Sequence, residues 1–456
     1  MARDATDSTI VESRDELVDV IASGSKPKAQ WRIGTEHEKF GFYTDDLTPV
    51  PYEGPRGIER ILRLMEGLLG WQPIEDRGLI IGLVDPIGGG AISLEPGGQF
   101  ELSGAPLETI HQTCRELHAH LAQVRQCAEP LGIGFIGLGT SPIWSLAETP
   151  VMPKSRYEIM ARYMPKVGTR GLHMMFRTST VQVNLDFSDE ADMVKKMRVS
   201  LALQPIATAL FANSPFIDNA ANGLLSNRAE IWRDTDNQRA GLIPFAFEEG
   251  FGFERYVDWA LDVPMYFVKR GDTYHDVAGQ SFRDLLKGEL PGLPGEIATL
   301  SDWNNHLTTL FPDVRLKKYI EMRGADAGPW RPLTALPALW VGLLYDQPSL
   351  DAAWELVKDW TADERQALRD GVPRTALSTP FRNHTVRDIA REMVQIARRG
   401  LAARGYLNSD GHDETVYLQP LEEIVASGQT LAERLLHECR TEWNGDISEV
   451  FRRHAY

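Results

Sequence analysis

Trp31-Arg-Ile-Gly-Thr-Glu-His-Glu-Lys-Phe-Gly-Phe42 is a strand-like stretch in which Ile33, Phe40 and Phe42 provide apolar anchors, while Glu36 and Glu38, two residues apart, share one face. Like charges so placed repel, and unpaired carboxylates on a core strand are expensive unless something positive lies between them. Two further stretches pose the same problem. In Leu94-Glu-Pro-Gly-Gly-Gln-Phe-Glu-Leu-Ser-Gly104, Glu95 and Glu101 flank a Pro-Gly-Gly bend among apolar neighbours; in Tyr319-Ile-Glu-Met-Arg-Gly-Ala-Asp326, Glu321 shares its face with Arg323. A set of strand carboxylates with no His or Cys interspersed at ligand spacing suits a hard cation such as magnesium rather than zinc.

Outward from these motifs the pattern reads as antiparallel strands and capped helices. Gly78-Asp85 and Ala91-Glu95 are two extended runs joined by Pro86-Ile-Gly-Gly-Gly90, which is hairpin chemistry. Thr178 to Phe187 alternates, with Val181, Val183 and Leu185 on one face and Thr180, Gln182, Asn184 and Asp186 on the other. Residues 106–130 and 189–213 are helical in period, the second containing Pro205. Ser13-Arg-Asp-Glu16 is a capping-box pattern opening a surface helix within residues 1–28. After about Pro348 the chain is mainly helical to residue 456, with capping boxes at Thr361-Ala-Asp-Glu364 and Thr430-Leu-Ala-Glu433, and with Gly371 and Pro373 expected to close the first of these helices. No repeat or flexible linker interrupts residues 1–456, so one large α+β unit is expected.

The 456 residues, 43% hydrophobic, can bury a large core, and a formal charge of -16 opposes nucleic-acid or anionic-membrane partners. The short basic groupings Lys195-Lys196-Met197-Arg198, Arg315-Leu316-Lys317-Lys318 and Arg398-Arg399 read as solvated faces. No apolar run approaches the ~20 residues that span a bilayer. The acidic N-terminal stretch lacks the apolar core of a signal peptide, so a cytoplasmic location is expected. Three cysteines, Cys114, Cys127 and Cys439, exclude a disulfide scaffold.

Other candidates carry less by themselves. Gln182, Asn184 and Asp186 make a polar stripe that is either solvated or the wall of a site. Arg156, Arg177, Arg228, Arg239 and Arg323 are possible anion clamps, since a planar guanidinium matches carboxylate and phosphate. His111, Cys114 and His118 fall at i, i+3, i+7 as zinc ligands can, without an evident fourth. Gly88-Gly89-Gly90 fits neither the P-loop nor the dinucleotide fingerprint.

The stretches Trp31 to Phe42 and Ile92-Ser-Leu-Glu-Pro-Gly-Gly-Gln-Phe-Glu-Leu-Ser-Gly-Ala-Pro-Leu-Glu108 resemble the plant and proteobacterial type of glutamate-cysteine ligase. Tyr163-Met-Pro-Lys166, Thr180-Val-Gln-Val-Asn-Leu-Asp-Phe187, residues 201–215, Tyr319 to Asp326 and the terminal Ala455-Tyr456 extend the likeness from about Trp31 to the end. The resemblance implies a glutamine-synthetase-like fold, in which a curved antiparallel sheet forms a funnel surrounded by helices. It implies ATP-dependent joining of the glutamate γ-carboxylate to the cysteine amine through γ-glutamyl phosphate, the first step of glutathione biosynthesis. Glu36, Glu38, Glu95, Glu101 and Glu321 would then hold two or three magnesium ions, with Glu38 also catalytic. Arg323 would meet the transferred phosphate, Arg228 and Arg156 would hold glutamate, and Gln182 and Asn184 would line the substrate pocket. The regulatory disulfides of the plant enzymes would fall at Cys114 with Thr334 and at Val277 with Gly292, so only one of four cysteines remains and a monomer is expected. A related ligase with another amine acceptor, a phosphotransferase and a catalytically silent metal-binding or regulatory protein are the alternatives; amine-dependent ADP release excludes the second, and the presence of both acidic and arginine motifs opposes the third.

Overall fold

The computed structural model describes residues 6–456; residues 1–5 of the expected N-terminal segment lie outside them. Nine strands form one open sheet: β1 Ile33–Tyr43, β2 Gln72–Asp76, β3 Leu79–Val84, β4 Ala91–Leu94, β5 Phe100–Ser103, β6 Ile133–Ile136, β7 Thr180–Leu185, β8 Val314–Leu316 and β9 Ile320–Asp326. Their order is β8-β9-β7-β1-β5-β4-β3-β2, with β6 paired to the far half of β1. Every pairing in the sheet is antiparallel. The expected hairpin is β3–β4, closed by the Asp85 N–H donating to the Gly90 carbonyl at 2.8 Å.

Period two gives the sheet its two faces. On β7, Val181, Val183 and Leu185 enter the main core together with Leu203, Leu336 and Trp340 of two buried helices, Glu190–Leu210 and Trp330–Leu344. On β5, Phe100 and Leu102 enter a second core with the helices Ile58–Leu69 and Ile110–Ala128. The residues between them, Gln182 and Asn184 on β7 and Glu101 on β5, therefore face away from both cores. β1 divides likewise: His37 turns towards His120 on the helix Ile110–Ala128, their rings 5.4 Å apart, and Glu36 and Glu38 point to the other side.

Local expectations differ from the structure at the helix ends. Thr361 and Thr430 form complete capping boxes, whereas Ser13 occupies the N-cap of Arg14–Ala22 without a side-chain bond, because Glu16 instead accepts from the Glu12 N–H at 3.1 Å. Gly371 and Pro373 do not end their helix, which runs Ala362–Thr375. Pro373 sits in the last turn, where its missing N–H removes a single bond and its carbonyl is taken by the N–H groups of Leu225 and Ser226 at 2.8 and 3.0 Å. Among the described residues no helix is long and apolar enough to cross a membrane.

The helices Trp330–Leu344 and Val386–Arg404 meet backbone to backbone at Gly342 and Gly400, where a Cβ on either would run into the carbonyl of Ala397 or of Gly342. Gly342→Ala is expected to cost about 1–3 kcal/mol or more through overpacking, read as a lower midpoint in denaturant titration; an unchanged midpoint would show that the helices can part freely.

Candidate active site

The face of the sheet turned away from the cores lines a cavity of about 800 Å³, part of it open to solvent, in which Glu36, Glu38, Glu95 and Glu101 are gathered with Arg156, Arg228, Arg315 and Arg323. Glu38 and Glu101 are direct partners across β1 and β5, the arrangement in which like charges repel most. Neutral donors hold the carboxylates in place. Ser93 and Ser103 hydroxyls donate to Glu101 at 2.8 and 2.5 Å, the Thr180 N–H to Glu38 at 3.0 Å, the Tyr157 hydroxyl to Glu95 at 3.3 Å, and the Asn184 amide to Glu36 at 2.9 Å.

Glu95 reaches the same wall through the tight turn after β4, closed by its N–H on the Gln99 carbonyl at 2.9 Å. Gly98 takes a φ of 85° there, and a Cβ on Gly97 would strike the Phe176 carbonyl, so the Pro-Gly-Gly bend is a steric requirement. Burial, then the charges of Glu95 and Glu101, push the Glu38 carboxyl well above the usual range, with Arg228 offsetting part of the shift. Glu95 is raised by burial and by Glu101. Oxygen-only donors that repel one another fit a hard divalent cation. Among the described residues no three His, Cys, Asp or Glu side chains already converge on one point. That geometry suits magnesium, which commonly takes one or two carboxylates and completes its shell with water and substrate phosphates.

Arg323 owes its position to a β-bulge. Between the pairs Met322 with Val183 and Ala325 with Val181, Arg323 and Gly324 oppose Gln182 alone. The guanidinium donates to Gln182 Oε1 at 2.7 Å, and Gly324 lets the bulge approach the helix Glu190–Leu210, where a Cβ would come within 2.6 Å of the Gln204 amide. Burial, then Arg315, bring the Arg323 pKa down to about 10, which leaves it charged at neutral pH. Arg228, 3% exposed, donates to the Arg323 carbonyl at 2.9 Å, and Arg156 stands 5.7 Å over the Phe267 ring.

Glu321, expected among the metal ligands, does not line this cavity. It is fully buried, in contact with the Arg315 guanidinium, 2.7 Å from Lys317 Nζ and 3.9 Å from Arg323. Opposing burial, Arg315 and then Lys317 hold its carboxyl far below the usual range. The reading of Arg315 to Lys318 as a solvated face therefore fails for two of its members: Arg315 and Lys317 are 5% and 6% exposed. Lys196 is likewise buried, its ammonium 3.5 Å from the Trp31 ring centre and 2.9 Å from Asp192.

The remaining candidates are structural. Arg177 is buried against Ser141, Trp144 and Asp218, and Arg239 against Asp236 and the carbonyls of Thr309 and Pro264. Asp186 accepts from the Arg32 N–H at 2.6 Å and pairs with Lys26 at 2.8 Å, away from the cavity. His111 spends both ring nitrogens on Tyr417 and Tyr406, which rules it out as part of a zinc set with Cys114 and His118. Thr334 stands beside Cys114, and a Cβ on Gly292 would lie 3.0 Å from Val277, so both positions inferred for plant disulfides are neighbours; the cysteines present are free.

The pattern of glutamate-cysteine ligase family 2 matches residues 32–453. The chain belongs to this family. It is 56% identical over 444 residues to glutamate-cysteine ligase B of Oryza sativa subsp. japonica, covering 97% of this chain and 87% of the relative. It is 55% identical over 447 residues to the ligase of Nicotiana tabacum, covering 97% and 83%. The fold is shared with the glutamate-cysteine ligase of Francisella tularensis solved in complex with AMP, at a TM-score of 0.52 and 12% identity, over 93% of this chain and 89% of that one. A bifunctional glutathione synthetase from Pasteurella multocida gives a TM-score of 0.53 at 12% identity, over 97% of this chain and 53% of that one. The ligase is an ATP-dependent enzyme that carries out the first step of glutathione synthesis. The cytoplasmic expectation does not stand: the relatives at 54–56% identity are named chloroplastic.

Glu321→Gln is expected to lose about 3–5 kcal/mol of unfolding free energy, because Arg315 and Lys317 would be left buried without their anion. Denaturant unfolding measures it, and a variant as stable as the parent would remove the ion-pair role.

Proposed function

We propose that this cavity performs both half-reactions of the ligase, with the acidic wall serving the nucleotide's metal and the basic wall serving the reacting anions. The observation that supports this is the gathering of Glu36, Glu38, Glu95 and Glu101 with Arg156, Arg228 and Arg323 in one hollow. Glu38, Glu95 and Glu101, with Glu36 at the margin, would hold magnesium, which when bound neutralises phosphate charge and lowers the repulsion between two anionic reactants. Arg156 and Arg228 orient the substrate glutamate, and Gln182, fixed by its bond to Arg323, borders the pocket in which it lies. Asn184 acts one step back, by setting the orientation of Glu36.

In the first step an oxygen of the glutamate γ-carboxylate attacks the γ-phosphorus of ATP, the bond to the β-phosphate oxygen breaks, and ADP leaves. Arg323 lies where it can stabilise charge on the transferred phosphoryl oxygens, as a buried guanidinium fixed by Gln182 and Glu321. In the second step the cysteine amine attacks the activated carbonyl, the C–O bond to phosphate breaks, and the amine gives up a proton. The partly enclosed wall limits the competing attack of water. We take residues 1–456 as one catalytic unit and the chain as a monomer, on the grounds that only Cys114 survives of the four plant disulfide positions.

Arg323→Ala and Glu38→Ala are each expected to lower kcat at least 100-fold while leaving the circular-dichroism spectrum unchanged. The assay is phosphate release from ATP and glutamate with and without cysteine, with mass analysis for γ-glutamylcysteine. Near-wild-type turnover in either folded variant would end that residue's assignment. Sedimentation should give a monomer with and without reductant, and a dimer in both would exclude it.

A further inference from the structure

The two ends of the acidic wall differ in what neutralises them. Glu36 and Glu321 lie in the field of Arg315, Lys317 and Arg323, whereas Glu38 feels Arg228, and Glu95 and Glu101 feel Lys154, beside the neutral donors that hold them. Asn184 links these two: its backbone pairs with Glu321 across β7 and β9, and its side chain donates to Glu36 at 2.9 Å. Lys317 Nζ is 2.7 Å from Glu321 Oε1 and is attracted by Glu36 as well. Arg315 and Arg323 complete the group, so three cations balance two carboxylates. A divalent ion added between Glu36 and Glu321 would raise the local charge from +1 to +3 in a buried site of low effective dielectric, where such an excess is strongly opposed. The buried Asn184 Oδ1 has no hydrogen-bond partner, so with Glu36 and Glu321 it would supply an oxygen set for a hard cation once the ammonium is removed.

We propose that the Lys317 ammonium holds the place of a divalent cation between Glu36 and Glu321. Divalent ions are thereby confined to the side of Glu38, Glu95 and Glu101, and Glu321 becomes a positioning residue that fixes Arg315 and Arg323. The second part rests on the reading of those three carboxylates as the metal-holding set.

The test is Mn²⁺ binding to the purified full chain by equilibrium dialysis, with free ion counted by electron paramagnetic resonance. Lys317→Met should bind one more Mn²⁺ per chain than the parent. Lys317→Met with Glu321→Gln, which removes both charges of that pair and leaves Arg315 its bonds to the Thr308 and Leu310 carbonyls, should bind the parental number. In the double variant kcat should fall at least tenfold while half-saturating magnesium stays within twofold, as a positioning role requires. A parental ion count in folded Lys317→Met, or a count below parental in the double variant, would overturn the proposal. Should Lys317→Met not fold, the double variant decides by the same criterion. Glu38→Gln is the separate control: a full Mn²⁺ complement there would sink the metal assignment of the acidic wall, while the Lys317 comparison would still report on Lys317 alone.

Discussion

Glu38 and Glu101 lie directly across from one another on neighbouring antiparallel strands, and the rest of the site answers that juxtaposition. Two carboxylates in such a register, with much of their solvent removed, raise the free energy of the folded chain unless they are protonated, hydrogen-bonded or bridged by a cation. The fold supplies hydrogen bonds from the serines on β4 and β5 and from the N–H that opens β7, yet these leave Glu38 well above its ordinary pKa. The uncompensated remainder would favour binding of a divalent cation. Its cost to stability is carried by the large cores behind the sheet, where Val181, Val183, Phe100 and Leu102 take the alternate positions of the same strands.

The basic wall is built by a different device. A regular β9 would place Arg323 and Gly324 on opposite faces in step with β7; the bulge sets both of them against Gln182 and delivers the guanidinium to that amide. Glu321, two residues earlier, draws Arg315, Lys317 and Arg323 into one buried cluster. The cations are held by a carboxylate that cannot move, so they meet an incoming anion with little further loss of side-chain freedom.

The strands and their faces were legible because period two is local: β1, β5 and β7 each announce in their own residues which side chains leave the core. The convergence of Glu36, Glu38, Glu95 and Glu101 could be suspected for the same reason, since each would be costly on a core strand without company. The partners of Glu321 were not legible because they depend on the register of β8 against β9, which sets Arg315 opposite it, and register across a hairpin is not written in either strand alone. The same limit hid Lys317 and Lys196, whose charges look solvated in a list of neighbours and are covered only once Glu321, Trp31 and Asp192 close around them. An arginine such as Arg239 reads like Arg228 in sequence; only tertiary contacts separate the one that spends its donors on Asp236 and backbone carbonyls from the one bordering the cavity.

The charge division within the cavity also bears on which form of the nucleotide is received. A chain of net charge -16 repels free ATP, although at physiological ionic strength that repulsion is screened beyond roughly 8 Å. Within that distance the carboxylates oppose bare phosphates and favour phosphates that arrive with cations, whereas Arg156, Arg228 and Arg323 in the same hollow attract anions. On the proposed assignment a metal-complexed nucleotide would satisfy both sets of charges at once, with its cations towards Glu38, Glu95 and Glu101 and its terminal phosphate towards Arg323. Neither set alone would select that orientation; it would follow from the strand order, which keeps Glu101 on β5 and Arg323 on β9 apart, with β1 and β7 between.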